Sequence, residues 1–221
     1  MRAATTRDHV PPRSLLPTPP PPNLITVPAC AECHVAFNLD DEYFKLMIGM
    51  KREISQHPDG HHLAASVIRG LQRPEGRPFA VAVARTMKNV QLTTPNGLFL
   101  GTTGGFKPDF RRMETFAGRV VRGLYYKEFC QPLPPSHELK VTPLADSTVE
   151  MRREARALFD GEKPRQKGDV FAYVVTVPVE GATAWILEFF QDVAFLAITV
   201  DPNDPDAAGF LPTTPSTSGQ Y

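Results

Sequence analysis

The sequence predicts a protein of the α+β class, because helix-like and strand-like patterns lie in different parts of the chain. In the middle of the chain, apolar residues recur at the spacing of a helix face, for example at Tyr43 and Met47. Three runs near the C-terminus, 170–177, 183–190 and 193–200, are rich in aromatic and β-branched residues and are joined by short turns. We expect these runs to form an antiparallel meander with one face packed on helices.

The composition of the chain limits the classes of function that fit it. Its 221 residues are enough for one substantial core or two small domains. The 24 basic and 24 acidic residues cancel, so nucleic-acid binding would need a local basic patch rather than the field of the whole protein. No apolar run approaches the length that spans a bilayer, and charges and prolines stand where a signal peptide would be apolar. Three cysteines do not make a disulfide framework, so we expect an intracellular, cytoplasmic protein.

The first part of the chain predicts a loop, a strand and a helix. The proline-dense segment Pro11–Pro22 is expected to run as an extended, polyproline-like loop on the surface, because proline fixes φ and lacks a backbone donor. The β-branched run Leu24–Val27 predicts a short strand that leads into a turn through the cysteines. A helix capped by Asn38 or Asp40 is expected next, with a buried apolar stripe that continues to Ile54.

The remaining elements complete the expected α+β body. A second helix is expected between Gly60 and Pro74, whereas Phe79–Met87 fits either a helix or a strand. The later elements are a β-hairpin of Val90–Thr93 and Leu98–Leu100, a loop at Gly104-Gly105, helices at Pro108–Lys127 and Ser147–Phe159, and a disordered tail at 203–221. These patterns divide the chain into a front module at 1–56, a body at 57–202 and the tail.

The helix expected at Pro108–Lys127 carries the best candidate for a phosphate-facing surface. Arg111, Arg112 and Arg119 lie on it, and basic residues outnumber acidic ones along the segment. A guanidinium group can bind two phosphate oxygens at once, which suits it to contacts with nucleic acid. The same pattern is also that of a solvated helix face with ion pairs within the helix, and the sequence leaves both interpretations open.

The segment Thr6–His34 concentrates the residues that carry chemistry. It holds an Asp-His pair at Asp8 and His9, an Asn-Leu pair that begins at Asn23, and a Cys-x-x-Cys-His cluster that ends at His34. This order resembles the His-Asn-His (HNH) nuclease motif, with its three name-giving positions at His9, Asn23 and His34. Further phrases resemble poorly characterised bacterial HNH-containing proteins: Leu24–Cys30, Asp41–Phe44, Arg122–Tyr126 and Val193–Leu196.

The resemblance implies a fold and a role for each residue of the motif. In the family, two short strands and a helix surround one metal ion, so residues 1–56 would form a ββα-metal module. Asp8 and His34 would bind a single divalent ion, and a carboxylate with an imidazole suits Mg, Mn, Ni or Zn. His9 would be the general base, since a neutral imidazole near pH 7 can take a proton from water. Asn23 would hold His9 in one orientation.

The activity implied by this set is metal-dependent endonuclease cleavage of DNA. Attack of water on phosphorus needs a base to remove a proton and a cation to stabilise the charge that develops on oxygen. The complete set of Asp8, His9, Asn23 and His34 favours this enzyme. The alternative is a catalytically inactive or truncated HNH-derived protein that acts as a binding or scaffold module. The neutral net charge and the short lead-in before Asp8 favour that alternative.

The cysteine pair departs from the usual pattern of the family. Many members carry an earlier Cys-x-x-Cys before the Asp-His pair, and the two pairs together hold a structural zinc ion. No cysteine precedes Cys30, so either that zinc site is absent or the start of the chain is incomplete. Cys30 and Cys33 are then two buried thiols or half of a zinc site, which His57, His61 or His62 would complete. A redox role is a more distant alternative, because the pair lacks a βαβ context.

Overall fold

The computed structural model describes residues 4–94, 96–106, 108–146 and 149–208 of the chain. Within these ranges, the side chains at 33–36, 146, 149, 152, 156 and 208 lie outside the description. Helices and antiparallel strands are both well represented, so the predicted α+β class is confirmed.

Strands and helices follow one another in a mixed order. The strands are β1 (Thr6–Val10), β2 (Ile25–Ala29), β3 (Lys88–Thr93), β4 (Phe99–Gly105), β5 (Glu138–Pro143), β6 (Arg165–Lys167), β7 (Phe171–Thr176), β8 (Ala182–Phe189) and β9 (Val193–Val200). The helices are α1 (Ala31–Gly49), α2 (Arg52–Gln56), α3 (His61–Gln72), α4 (Arg77–Thr86), α5 (Phe110–Phe129), α6 (Val149–Leu158) and α7 (Pro205–Ala208). None of the helices in the described part of the chain is both long and apolar enough to cross a membrane.

The front of the chain folds as two antiparallel strands followed by a long helix. β1 pairs with β2, and α1 begins one residue after the intervening Cys30. The prediction that this helix starts at Asn38 or Asp40 is wrong, because it already starts at Ala31. No proline or glycine between Ala31 and Asn38 stops the helix. The Asp40 carboxylate accepts a hydrogen bond from Arg112 Nε at 2.8 Å and so has another role.

The proline-dense loop between β1 and β2 is less superficial than expected. Pro11 and Pro12 are buried, and a short 3-10 turn at Arg13–Leu15 follows them. Leu15 and Leu16 then insert into the main core. The prediction of a surface loop is therefore wrong for the first half of the segment, because two adjacent leucines supply apolar area that the prolines alone do not.

After α1, the structure shows whether residues 79–87 form a helix or a strand, and it differs from the loop predicted at Gly104-Gly105. Phe79 to Thr86 lies in α4, so this segment is a helix rather than a strand. Its three alanines, Ala80, Ala82 and Ala84, are consistent with that outcome, since alanine has the highest helix propensity. The predicted hairpin is confirmed as β3 and β4, but Gly104 and Gly105 belong to the end of β4 instead of to a loop.

The contact between α1 and α5 lies at the centre of the main core. The rings of Phe44 and Phe116 stack with centroids 3.7 Å apart, and Phe189 of β8 meets Phe44 edge-on at 5.0 Å. The apolar face predicted for α5 is buried, as at Met113 and Leu124. Helix α5 begins at the Asp109 cap, whose Oδ1 accepts a hydrogen bond from the backbone N–H of Arg111 at 3.1 Å.

The C-terminal strands form a five-stranded antiparallel sheet in the order β5-β9-β8-β7-β6. Alternate residues point to its two faces, so Trp185 and Leu187 join the main core while Ala182 and Ala184 pack with α6 and α7. The prediction of three strands covered by helices is therefore confirmed. The outer strand β6 was not predicted, because Arg165 and Lys167 leave it without an apolar pattern. Charges of this kind are common on edge strands.

The main core crosses the boundary expected near residue 56. It contains Val10, Ile25 and Phe44 from the front together with Trp185 from the sheet. The prediction of a disordered tail at 203–221 is wrong for α7, because Ala207 is buried against the sheet. Residues 209–221 of that predicted tail lie outside the described residues.

The central contact predicts a large cost for truncating Phe44. Phe44→Ala should lower the free energy of unfolding by about 3–5 kcal/mol, because it removes a fully buried ring and leaves a cavity between two helices and the sheet. Urea unfolding followed by circular dichroism measures this change. Ile68→Ala, at a side chain on α3 that is 57% exposed, is the control and should change stability by less than ~1 kcal/mol. Equal losses in the two variants would show that the α1–α5 contact is not central.

Candidate functional site

Strand β1 carries the Asp-His pair along one side of the main core. Side chains on a strand alternate between its faces, so Asp8 and Val10 share one face and His9 lies on the other. Val10 packs closely on Gly123 of α5, where an added Cβ would lie 2.6 Å from the Val10 Cγ2 atom. The missing side chain of Gly123 therefore lets β1 approach α5 and brings Asp8 to the helices.

Asp8 belongs to a largely buried group of three charges. Its Oδ2 atom lies 3.9 Å from Arg119 Nη1, and Arg119 also donates a hydrogen bond to Asp41 Oδ1. The exposed fractions of these side chains are 18% for Asp8, 13% for Arg119 and 15% for Asp41. We call this group the Asp8–Arg119–Asp41 cluster. It joins β1, α5 and α1 at one point.

Burial alters the proton affinity of the Asp41 carboxyl group. Removal from water raises its pKa from 3.8 to about 6, and this effect outweighs the opposing attraction of Arg119. The negative charges of Asp8 and Glu42 raise the pKa further. Two carboxylates facing a single guanidinium group leave the cluster with a net negative charge when both are ionised.

His9 lies beside the cluster and on the wall of a groove. It is half-buried and faces Thr26 of β2 across the strand pair. Its backbone N–H donates a hydrogen bond to Asp8 Oδ1 at 2.9 Å, which helps to orient the carboxylate. The groove has a volume of about 580 Å³ and runs between the β1–β2 pair and α5; its polar lining includes Asp8, His9, Cys30, Arg119, Arg122 and Tyr126.

Asn23 does not take the position expected for it. It is exposed and has a φ of 59°, in the left-handed region that asparagine tolerates better than most residues. Among the described residues it forms no hydrogen bond with His9. The expected orienting role is therefore not seen, because Asn23 turns the chain into β2 instead.

The structure locates the backbone of Cys30, Cys33 and His34, but it describes the side chain of Cys30 alone among them. Cys30 is half-buried and lines the groove. Cys33 and His34 belong to the first turn of α1, but their side chains lie outside the described part of the chain. The described residues contain no group of three His, Cys, Asp or Glu side chains that could hold a metal ion.

Two of the three histidines proposed to complete a zinc half-site, His57 and His61, have other partners, whereas Nε2 of His62 is buried and has no hydrogen-bond partner among the described residues. His57 Nδ1 accepts a hydrogen bond from the backbone N–H of Asp59 at 3.1 Å. His61 Nδ1 lies 2.5 Å from the Pro58 carbonyl oxygen. Both rings therefore stabilise the turn that leads into α3, and the described residues do not support their role as zinc ligands.

The arginines predicted to face phosphate divide into two groups. Arg112 Nη2 donates to the Leu39 carbonyl oxygen at 2.6 Å, and its guanidinium carbon lies 4.2 Å from the ring centre of Tyr43. Arg119 belongs to the charge cluster. Both residues bind α1, whereas Arg111 is exposed.

A spacing in the sequence could have revealed this arrangement. Arg112, Phe116 and Arg119 recur at intervals of four and three, so they lie on one stripe of α5, and that stripe includes a core phenylalanine. The adjacent acids Asp40 and Asp41 are the matching signal on α1. Sequence reasoning gave no role to Tyr126, which lines the groove together with Arg122.

The raised pKa of Asp41 predicts a specific dependence of stability on pH. The folded protein binds more protons at Asp41 than the unfolded chain does between pH 3.8 and about 6. The stabilisation from this group is therefore complete at low pH and is lost as pH rises through about 6. In Asp41→Asn this dependence should disappear, so stability relative to wild type should rise by about 1–3 kcal/mol from acidic to neutral pH.

Urea unfolding of wild type and Asp41→Asn at several pH values from acidic to neutral measures the difference in their free energies of unfolding. Asp160→Asn, at an exposed position after α6, controls for the loss of one carboxylate and should leave the wild-type dependence intact. Parallel curves for wild type and Asp41→Asn would contradict the effect of burial.

Comparison with known proteins adds no relative to this picture. No family model, curated protein or solved structure matches the chain. The function is therefore inferred from the residues of the chain and from their geometry.

Proposed function

We propose that this chain is an HNH-type, metal-dependent endonuclease that hydrolyses phosphodiester bonds of DNA inside the cell. The observation that carries the proposal is the order of structure around the motif. Antiparallel β1 and β2 are followed at once by α1, with Asp8 and His9 on β1 and position 34 in the first turn of the helix. This order is the two-strand and helix arrangement that the motif implies.

The donors near β1 fit a single divalent ion. Asp8 offers a carboxylate at the groove, in a cluster whose two carboxylates outnumber its one guanidinium group. Positions 34 and 41 are seven residues apart, so they share a face of α1, and Asp41 on that face reaches the cluster. Asp8 and His34 would hold the ion, leaving positions for water and a phosphate oxygen. When bound, the ion would supply positive charge that stabilises the transition state.

His9 is the candidate general base. Its position on the groove wall leaves the imidazole accessible to a water molecule, and an imidazole nitrogen can act as a proton acceptor in general base catalysis. The hydrogen bond from its backbone N–H to Asp8 Oδ1 orients the carboxylate next to the base. Proton transfer also requires hydrogen-bond distance between the imidazole and the reacting water.

Helix α5 offers basic residues for the DNA backbone. Arg122 is exposed and lines the groove, and Arg111 and Lys127 are exposed on the same helix. These side chains replace Arg112 and Arg119 as the proposed phosphate contacts. A local surface of this kind is needed, since the net charge of the whole chain is zero.

A second candidate function is a binding or scaffold module without catalysis. The position of Arg119 favours it, because a guanidinium beside Asp8 weakens the attraction of that carboxylate for a metal ion. In this candidate, the cluster would serve only to hold β1 on the two helices.

Cleavage of plasmid DNA tests the proposal. Purified protein should nick supercoiled DNA when Mg²⁺, Mn²⁺, Ni²⁺ or Zn²⁺ is added after chelation. His9→Ala should lower the rate by about 10²-fold or more, because a general base contributes at least this factor. Binding of Mn²⁺ measured by calorimetry should be unchanged in this variant, since His9 is not proposed as a ligand.

His61→Ala removes an exposed histidine of α3 and serves as the matched control. It should cleave at the wild-type rate. Folded wild-type protein that nicks with none of the four metals would reject the nuclease in favour of the binding module. Loss of metal binding together with cleavage in His9→Ala would make His9 a ligand or a structural residue.

A further inference from the structure

The β3–β4 hairpin stands apart from both cores. None of the described residues of α4, β3 and β4 is buried. Within the described part of the chain, the two strands pair only with each other, as an antiparallel two-stranded sheet. An isolated hairpin of two strands is at best marginally stable in water. Some further contact is therefore expected to support it.

The hairpin is also the most apolar exposed surface of the described chain. Ten large hydrophobic side chains are exposed in the described residues, and six of them lie between Met87 and Leu100. Their exposed fractions range from 40% at Leu92 to 66% at Leu98. Scattered exposed apolar residues are ordinary, but a contiguous group of this kind usually marks an interaction surface.

The strand edges point to β-sheet pairing as the mode of contact. In a two-stranded sheet the outer edge of each strand leaves backbone N–H and C=O groups without strand partners. Proteins usually protect such edges with charged residues or proline. Strand β4, Phe99–Gly105, contains neither, and β3 has a single charged residue, Lys88.

We propose that β4 pairs with β4 of a second copy of this chain, so that two hairpins form one four-stranded antiparallel sheet. Antiparallel pairing of identical strands is self-complementary about a two-fold axis, as a symmetric dimer requires. The uncharged β4 brings no like charges together in this contact. It also offers no cation to phosphate, which makes DNA a poorer partner for this edge.

Edge pairing would bring the side chains on and beside β4 next to those of the same strand in the second copy. Leu98, Phe99 and Leu100 are 66%, 56% and 63% exposed, so each chain offers large apolar side chains for contacts across the new strand pair. This contact is independent of the proposed nuclease activity and uses none of the residues assigned to it.

Sedimentation velocity over a concentration series tests the dimer. The wild-type chain should sediment with twice the mass of one chain at micromolar concentration. The double variant Leu98→Lys and Leu100→Lys should raise the dissociation constant at least ~100-fold, because it places charges at the contact. Ile68→Lys makes the same change at a similarly exposed position on α3 and should leave the dimer intact.

Hydrogen exchange of the wild-type chain gives a second test that needs no variant. Amides of β4 should be protected at concentrations where the dimer forms and should exchange faster on dilution. A wild-type chain that is monomeric throughout, or a double variant that still forms the dimer, would overturn the proposal. Protection of β4 by added duplex DNA in a monomeric chain would assign the hairpin to nucleic acid instead.

Discussion

The contact between α1 and α5 is the interaction on which the rest of the structure depends. Phe44 and Phe116 stack at its centre, and Phe189 extends the same contact to the sheet. Arg119 reaches from α5 to α1 and also approaches Asp8 of β1. Helices, sheet and the first strand therefore meet at one place, and the geometry of the candidate site follows from how these elements pack.

The charges at this contact are costly to bury and specific in position. A guanidinium and two carboxylates lose most of their hydration there, and their mutual attraction offsets that loss only in a suitable geometry. Removal of one partner from such a group commonly destabilises a protein by about 3–5 kcal/mol, because the remaining charge is left unpaired. The same cluster retains excess negative charge beside the groove. One arrangement of residues can therefore both fix β1 and attract a cation.

Much of the fold could be predicted from local patterns. Helix α5 and strands β7, β8 and β9 were predicted because their apolar residues follow the period of the element and most of these residues are buried. The pattern was weaker at the edge of the sheet, so the short strand β6 was missed. Leu15 and Leu16 were overlooked because the surrounding prolines dominated the composition of their segment.

The candidate site was harder to predict, because the sequence does not show which tertiary partner a charge will find. Arg112 and Arg119 have the composition of a solvated, phosphate-binding face, yet both bind carboxylates or carbonyls of α1. Conversely, the position of Asp8 and His9 on a strand that precedes α1 could be predicted from the sequence. Two short strands followed at once by a helix leave the chain few other arrangements. Asn23 differs from expectation because a left-handed turn before β2 uses its conformational tolerance.

The central claim is that the Asp8 carboxylate, although close to Arg119, is a metal ligand. The most direct measurement is anomalous scattering at the manganese edge from crystals of the full chain grown with Mn²⁺. The nuclease proposal predicts a peak at coordination distance from an Asp8 oxygen and from the His34 imidazole. A manganese peak elsewhere, with Asp8 still paired to Arg119, would contradict it and leave the cluster as a purely structural contact.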